Sequence, residues 1–157
     1  MKTKILAAFA VLMAGMLGMA YAATAGATGN VTILETCGIS LSADDLNFGS
    51  MNTGDTSDDV NTTISNDGSV AGDVYVSGTD WSDGNQNSFA VGQTHYALTV
   101  QQDYDQGMTV LTGSDQMFDN IANGETQDGF FKLRIPLGQT AATYAQEITF
   151  TSNCEQV

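Results

Sequence analysis

The chain has 157 residues, a length that suits one domain, and its 18 acidic residues against four basic ones give a net charge of −14. A surface of this sign repels phosphate groups, so nucleic acids and anionic membranes are excluded as partners. Such a protein attracts cations, and its copies repel one another at low salt.

The first 22 residues have the layout of a secretory signal peptide. Lys2 and Lys4 precede an apolar run over residues 5–19, and residues 20–22 read Ala-Tyr-Ala, a small-residue cleavage signal. We expect cleavage after residue 22 and export to the cell surface or the extracellular space, with no transmembrane segment left in the mature chain. The mature chain keeps two basic residues against 18 acidic ones, a net charge of about −16. The alternative is a retained helix of the type IV pilin kind, because the apolar run approaches the roughly 20 residues that cross a bilayer.

Residues 23–36 are predicted to form an N-terminal arm ahead of the folded domain, which we place at residues 37–157. The arm begins with seven small residues that read as a linker, and Val31, Ile33 and Leu34 then supply apolar side chains in an extended segment. Two interpretations remain open. The segment is either the first strand of its own sheet or a strand that completes the sheet of a neighbour.

Two cysteines, Cys37 and Cys154, are the only ones in the chain. Export places them in an oxidising compartment, so the sequence predicts a disulfide between them. Closing a loop of this length contributes about 4–5 kcal/mol in chain-entropy treatments. The alternative is two free thiols. A metal site would need further soft ligands, and the one histidine, His95, lies far from both cysteines in sequence. The arm would lie outside the covalent loop.

From residue 39 onward, short stretches of alternating apolar and polar residues are separated by turn signals about every 8–12 residues, a spacing typical of all-β domains. No stretch after the leader shows a helical period. We therefore predict an all-β fold, a single immunoglobulin-like or jelly-roll-type β-sandwich after a cleaved N-terminal signal helix. The predicted strands cover residues 39–41, 46–48, 60–64, 74–76, 89–91, 96–100, 108–111, 127–136 and 144–151.

The opening of the domain resembles a known family. Residues 38–55 read Gly-Ile-Ser-Leu-Ser-Ala-Asp-Asp-Leu-Asn-Phe-Gly-Ser-Met-Asn-Thr-Gly-Asp, and Asn-Asp-Gly ends the next strand at residues 66–68. This pattern resembles the TasA/camelysin-like biofilm-fibre proteins and the archaeal bundling pilins, although Thr53 stands where those proteins usually have proline. Residues 133–138 and 143–150 resemble the closing strands of secreted immunoglobulin-like domains.

The resemblance implies assembly by donor-strand exchange, in which the arm of one subunit completes the sheet of the next. Main-chain hydrogen bonds then provide affinity, and alternate side chains, here Val31, Ile33 and Leu34, provide register. A head-to-tail contact that does not close on itself produces a filament. Self-association into a homopolymer is therefore the expected partnership.

One polar loop combines oxygen ligands with the only tryptophan. Asp80, Asp83, Asn85 and Asn87 surround a glycine turn, and Ca²⁺ prefers oxygen ligands of this kind, although the spacing does not match an EF-hand. The alternative is a solvated acidic loop. Trp81 is a candidate platform for stacking a sugar ring, and the alternative is that it packs over the end of the sandwich. Ca²⁺ is the one cofactor that the sequence suggests, and carbohydrate is the one small partner.

No catalytic constellation is visible in the sequence. Paired carboxylates serve glycoside hydrolysis, but the acidic residues here sit in turn regions, and no Gly-x-Ser-x-Gly elbow accompanies His95. Asn30 and Asn61 each begin an Asn-x-Thr glycosylation acceptor pattern. We expect a non-enzymatic secreted structural subunit of a filament, pilus, biofilm matrix or coat. The alternative is a monomeric secreted binding module for carbohydrate or Ca²⁺.

Overall fold

A computed structural model of the chain describes residues 30–154. The predicted signal peptide, residues 23–29 of the arm and the last three residues lie outside the described residues. Residues from Ile33 onward form one compact unit, and Asn30, Val31 and Thr32 belong to a separate N-terminal unit. Among the described residues, no helix is long and apolar enough to cross a membrane.

The described part of the chain is all-β, as predicted. Two single 3₁₀ turns, Val91–Gln93 and Tyr104–Gln106, interrupt the strands, and no α-helix occurs within residues 30–154. Ten strands follow in chain order: β1 (Ile39–Leu41), β2 (Val60–Asn66), β3 (Gly72–Gly78), β4 (Trp81–Ser82), β5 (Ser88–Phe89), β6 (Thr94–Ala97), β7 (Met108–Thr109), β8 (Asp115–Ile121), β9 (Thr126–Leu133) and β10 (Ile148–Cys154).

The strands form two main antiparallel sheets and one short hairpin. The larger sheet has the order β1-β2-β9-β6-β7, the smaller sheet has the order β10-β3-β8, and β4 pairs with β5. Strands β2, β3 and β9 bury every second residue, which is the pattern of strands with one face against a core. The two sheets pack in a sandwich-like arrangement.

The core lies between these sheets. Ile64, Tyr96 and Phe131 enter it from the larger sheet, and Val74 and Val76 enter it from the smaller one; all five side chains are essentially inaccessible to solvent. The Tyr96 hydroxyl donates a hydrogen bond of 2.8 Å to Asp115 Oδ2 on β8. This bond satisfies a polar atom that would otherwise be buried without a partner, and it joins the two sheets.

A disulfide joins Cys37 to Cys154, as predicted, with 5.7 Å between the two Cα atoms. Cys154 is the last residue of β10, and Cys37 lies two residues before β1. The bond therefore ties the start of the larger sheet to the end of the smaller one.

The predicted strands differ from the structure in several places, and the short strands β4 and β7 either lie in a predicted loop or are shorter than predicted. Residues 46–48 form no strand, because the chain runs beside β2 only as far as Ala43, whose carbonyl oxygen accepts a hydrogen bond from the Thr62 hydroxyl, and then crosses away from the larger sheet as an irregular segment. The last strand begins at Ile148 rather than at residue 144. Strand β8 was not predicted, because Met117 and Phe118 are adjacent buried residues in a strand with irregular register, and alternation is lost.

Candidate functional site

The arm presents apolar side chains to solvent. Val31, Ile33 and Leu34 are 87%, 81% and 76% exposed, and residues 30–38 form no strand in the described part of the chain. The interpretation of this segment as the first strand of its own sandwich is therefore not what the structure shows. Three large apolar residues exposed within four positions are an unusual concentration of apolar surface in water.

The root of the arm is fixed by the turn between β2 and β3. Ser69 N–H donates to Thr36 O at 2.9 Å, and Thr36 N–H donates to Ser69 Oγ at 2.8 Å. A Cβ on Gly68 would collide with the carbonyl oxygen of Thr36, so this close approach requires glycine. The arm therefore leaves the domain from a defined point, one residue before the disulfide.

A buried asparagine holds this turn in shape. The Asn66 side chain donates to Ile121 O at 2.7 Å and to Val70 O at 2.9 Å, and it accepts a hydrogen bond of 2.9 Å from Gly68 N–H. Sequence reasoning identified Asn66 as a turn residue from the Asn-Asp-Gly pattern but not as the side chain that links the turn to β8. A tertiary hydrogen bond across 55 residues leaves no local signal.

A groove runs along the side of the sandwich where the two sheets part. One wall is the crossing segment, residues 43–53, and the other wall is residues 139–150, which lead into β10; we call this the β10 groove. Its volume is about 880 Å³. Buried Trp81 and Leu133 contribute to its floor.

The lining of the β10 groove is mixed, with polar residues beside a few apolar side chains. Phe48 on the crossing segment and Ile148 and Phe150 on β10 pack against the core but are only partly buried. These three side chains therefore keep apolar surface that a further strand could cover.

Strand β10 presents a free edge beside the groove. Its seven residues pair in regular antiparallel register with β3, and no strand covers its other side within residues 30–154. Thr149, Thr151 and Asn153 point to solvent, and β10 contains neither lysine nor proline. Natural sheets usually blunt such an edge with these residues, a bulge or a covering loop.

Three of the four predicted Ca²⁺ residues, Asp83, Asn85 and Asn87, are hydrogen bonded to one another, whereas Asp80 bonds elsewhere. Asp83 accepts bonds from Asn85 N–H at 2.8 Å, from Asn87 N–H at 3.2 Å and from the Asn87 side chain, and the side-chain bond is the main reason that the pKa of Asp83 is lowered. Asp80 Oδ1 accepts from Val91 N–H at 2.8 Å. Among the residues described, no group of three His, Cys, Asp or Glu side chains suits a metal. Ca²⁺ binding stays a prediction.

Trp81 occupies an interior position. It is 7% exposed, its ring stacks on Phe89 with 5.6 Å between centroids, and its Nε1–H donates to Thr94 Oγ1 at 2.9 Å. Thr94 in turn donates to Gln146 Oε1 at 2.8 Å, so a chain of two hydrogen bonds links the indole to β6 and to the segment that leads into β10. This geometry agrees with packing over the end of the sandwich and leaves no open ring face for a sugar. Asn30 and Asn61, the predicted glycosylation acceptors, are both exposed.

His95 belongs to a stack that sequence reasoning missed. The centroids of the His95 and Tyr104 rings are 4.0 Å apart. The Arg134 guanidinium carbon lies 3.9 Å from the centroid of the same tyrosine ring. His95 Nδ1 is 2.9 Å from Tyr104 O, and Nε2 is 3.3 Å from Thr109 Oγ1. Burial raises the pKa of Tyr104. Both imidazole nitrogens have structural partners, so the ring acts as packing for the 3₁₀ turn.

No family model matches this sequence, and no curated protein matches it. Among solved structures, the chain is similar to part of a family 123 glycoside hydrolase from Clostridium perfringens, described for its hydrolysis of glycolipid glycans, at 14% identity and a TM-score of 0.49. The match covers 75% of this chain and 25% of the hydrolase chain. A likeness at this level carries no argument about function.

Proposed function

We propose that this protein is a non-enzymatic, secreted structural subunit that self-associates into a surface filament, pilus, biofilm matrix or coat by donating its N-terminal arm to a neighbour. The observation that carries the proposal is the arm itself. Val31, Ile33 and Leu34 are exposed and lie outside the disulfide loop. We also propose that the sandwich is of the immunoglobulin-like or jelly-roll type, in line with the resemblance to biofilm-fibre proteins and bundling pilins.

Two further properties support the proposal. The disulfide suits an oxidising compartment outside the cytoplasm, which agrees with the predicted signal peptide. The net charge of −14 makes copies repel one another unless salt or divalent cations screen them. Assembly should therefore be promoted by high ionic strength or by Ca²⁺, even without a dedicated metal site.

Negative-stain electron microscopy of the purified mature protein tests the proposal directly. We expect filaments or ordered aggregates at high salt or with Ca²⁺, and a loss of these assemblies when residues 23–36 are deleted. A deletion variant that unfolds is recognised by its circular dichroism, and the arm substitutions described in the Discussion then replace it. Monomers under every salt and Ca²⁺ condition would contradict the proposal.

A second candidate function is a monomeric binding module for carbohydrate or Ca²⁺. It is favoured by the aromatic wall of the β10 groove, where Phe89 and Tyr144 have ring centroids 5.1 Å apart. Glycan-array binding that is lost in Tyr144→Ala, with an unchanged circular dichroism spectrum, would support it. No array signal and no heat in a Ca²⁺ titration would remove it.

A further inference from the structure

We propose that the β10 groove is the acceptor site for residues 30–34 of a second copy of this chain, and that Val31 and Ile33 are the side chains that enter it. This inference rests on the proposed function, which supplies the donor. It adds the position of the acceptor, the strand that the donor extends and the face of the donor that is buried.

Strand β10 is the sheet edge best suited to accept a strand. It offers seven residues in regular register, whereas β1 has three residues and β7 has two. Strand β8, the opposite edge of the smaller sheet, has register shifts against β3, and Asn120 within it has a positive φ of 51°. Such irregularities twist an edge away from further pairing, so β8 is protected and β10 is not.

The core below this edge has room for inserted side chains. A strand that pairs with the free side of β10 would point every second residue toward the gap between the sheets. The half-buried rings and chains there, Phe48 opposite Ile148 and Phe150, would then be covered on both sides. The groove volume of about 880 Å³ exceeds that of a few aliphatic side chains, so it also accommodates the backbone that carries them.

The negative charge at the rim of the β10 groove limits which segment can bind there. Asp44 and Asp45 are exposed at the rim of the groove, on a protein of net charge −14. An acidic segment is repelled from this rim, whereas residues 23–34 contain no charged residue, and Glu35 follows them. The described part of this uncharged stretch, residues 30–34, covers five residues against the seven of β10. Every copy therefore carries an uncharged segment with apolar side chains directly ahead of Glu35.

Side-chain alternation fixes which arm residues are buried. In an extended strand, Val31 and Ile33 lie on one face, and Thr32 and Leu34 lie on the other. The first pair is wholly apolar and the second includes Thr32, so we assign Val31 and Ile33 to the face that points into the core when the arm pairs with β10. Leu34 then lies on the outer face of the extended sheet, so the three exposed residues of the arm have different roles.

Photo-crosslinking of the full mature chain tests this placement. We introduce p-benzoylphenylalanine at Ile33, irradiate under assembly conditions and map the adducts by mass spectrometry. We expect a ladder of covalent oligomers on a reducing gel, with adducts on residues 46–51 or 144–150 of the partner copy. The same group at Leu34 is the matched control, and it should give far fewer adducts in these two ranges.

The possible outcomes separate the two proposals. Filaments whose adducts map to β8 or to exposed Leu98 and Val100 overturn the acceptor site but leave self-association in place. Adducts that remain within one subunit, at monomer mass, overturn the transfer of the arm between copies. A protein that stays monomeric at high salt and with Ca²⁺ overturns the proposed function, and the acceptor site falls with it.

Discussion

Replacing Val31 and Ile33, the arm residues that we propose enter the groove of a second copy, by serine should weaken assembly strongly. The fold of the monomer should stay intact. In the isolated subunit, Val31 and Ile33 are 87% and 81% exposed, so the folded domain gains almost nothing from them. Surface substitutions of this kind change the free energy of unfolding by less than about 0.5 kcal/mol. In an assembled copy, each side chain would move from water into the groove.

The size of the effect follows from this burial. Full burial of a Val or Ile side chain is worth about 1.5–3 kcal/mol, so the two together contribute about 2.5–5 kcal/mol when scaled to their present exposure. Ordering the arm offsets part of this gain, which favours the lower end. Because about 1.4 kcal/mol is a tenfold change, we expect the critical concentration for assembly to rise roughly a hundredfold.

Sedimentation of the assembled fraction over a dilution series measures the critical concentration, and urea unfolding of the monomer measures stability. The matched control is Leu34→Ser, which removes a similarly exposed apolar residue from the opposite face and should shift assembly much less. An unchanged critical concentration in the double variant, or an equal shift in Leu34→Ser, would refute the reasoning.

Three further predictions concern stability. Replacing Cys37 and Cys154 by serine should lower the free energy of unfolding by about 4 kcal/mol, measured by urea denaturation, because the unfolded chain regains its freedom. Asn66→Ala should lower it by about 3 kcal/mol in the same assay, because three hydrogen bonds are lost and buried carbonyl groups are left unpaired. Asp83 has a lowered pKa in the folded state, so its ionised carboxylate stabilises the fold. This stabilisation is fully present above the ordinary carboxyl pKa of about 3.9 and is lost as pH falls through the folded pKa. Wild-type protein should therefore lose more stability than Asp83→Asn between pH 5 and pH 2, as measured by thermal unfolding at each pH. Parallel curves of melting temperature against pH for the two proteins would contradict this.

Much of the fold was predictable because its central strands follow a simple period. Strands β2, β3 and β9 alternate between buried and accessible residues, and the turn after β2 carries the Asn-Asp-Gly pattern that stops it. The disulfide was predictable because the chain has one pair of cysteines. Strand β8 was not predictable, because its register shifts place Met117 and Phe118 next to each other in the core.

Of the site that we propose, the apolar arm could be predicted from the sequence and the groove beside β10 could not. An apolar segment ahead of the first cysteine is visible in the sequence, and Val31 and Ile33 are in fact exposed. The β10 groove depends on which strand becomes an edge, and that follows from long-range pairing between β10 and β3. Leu46 and Phe48 alternate like strand residues, but they form a wall of the groove instead.

The position of the disulfide has a mechanical consequence. Cys37 sits at the root of the arm, and Cys154 ends the strand whose free edge is open to a neighbour. In a filament joined through the arm, a pulling force on one subunit would enter at Cys37 and pass through a single covalent bond into β10. That strand would be loaded lengthwise against the neighbouring arm paired with its free edge, so those pairs would resist in shear and break together rather than unzip one by one. The tensile load would then run through one bond and one strand per subunit, and the rest of the sandwich would carry little of it.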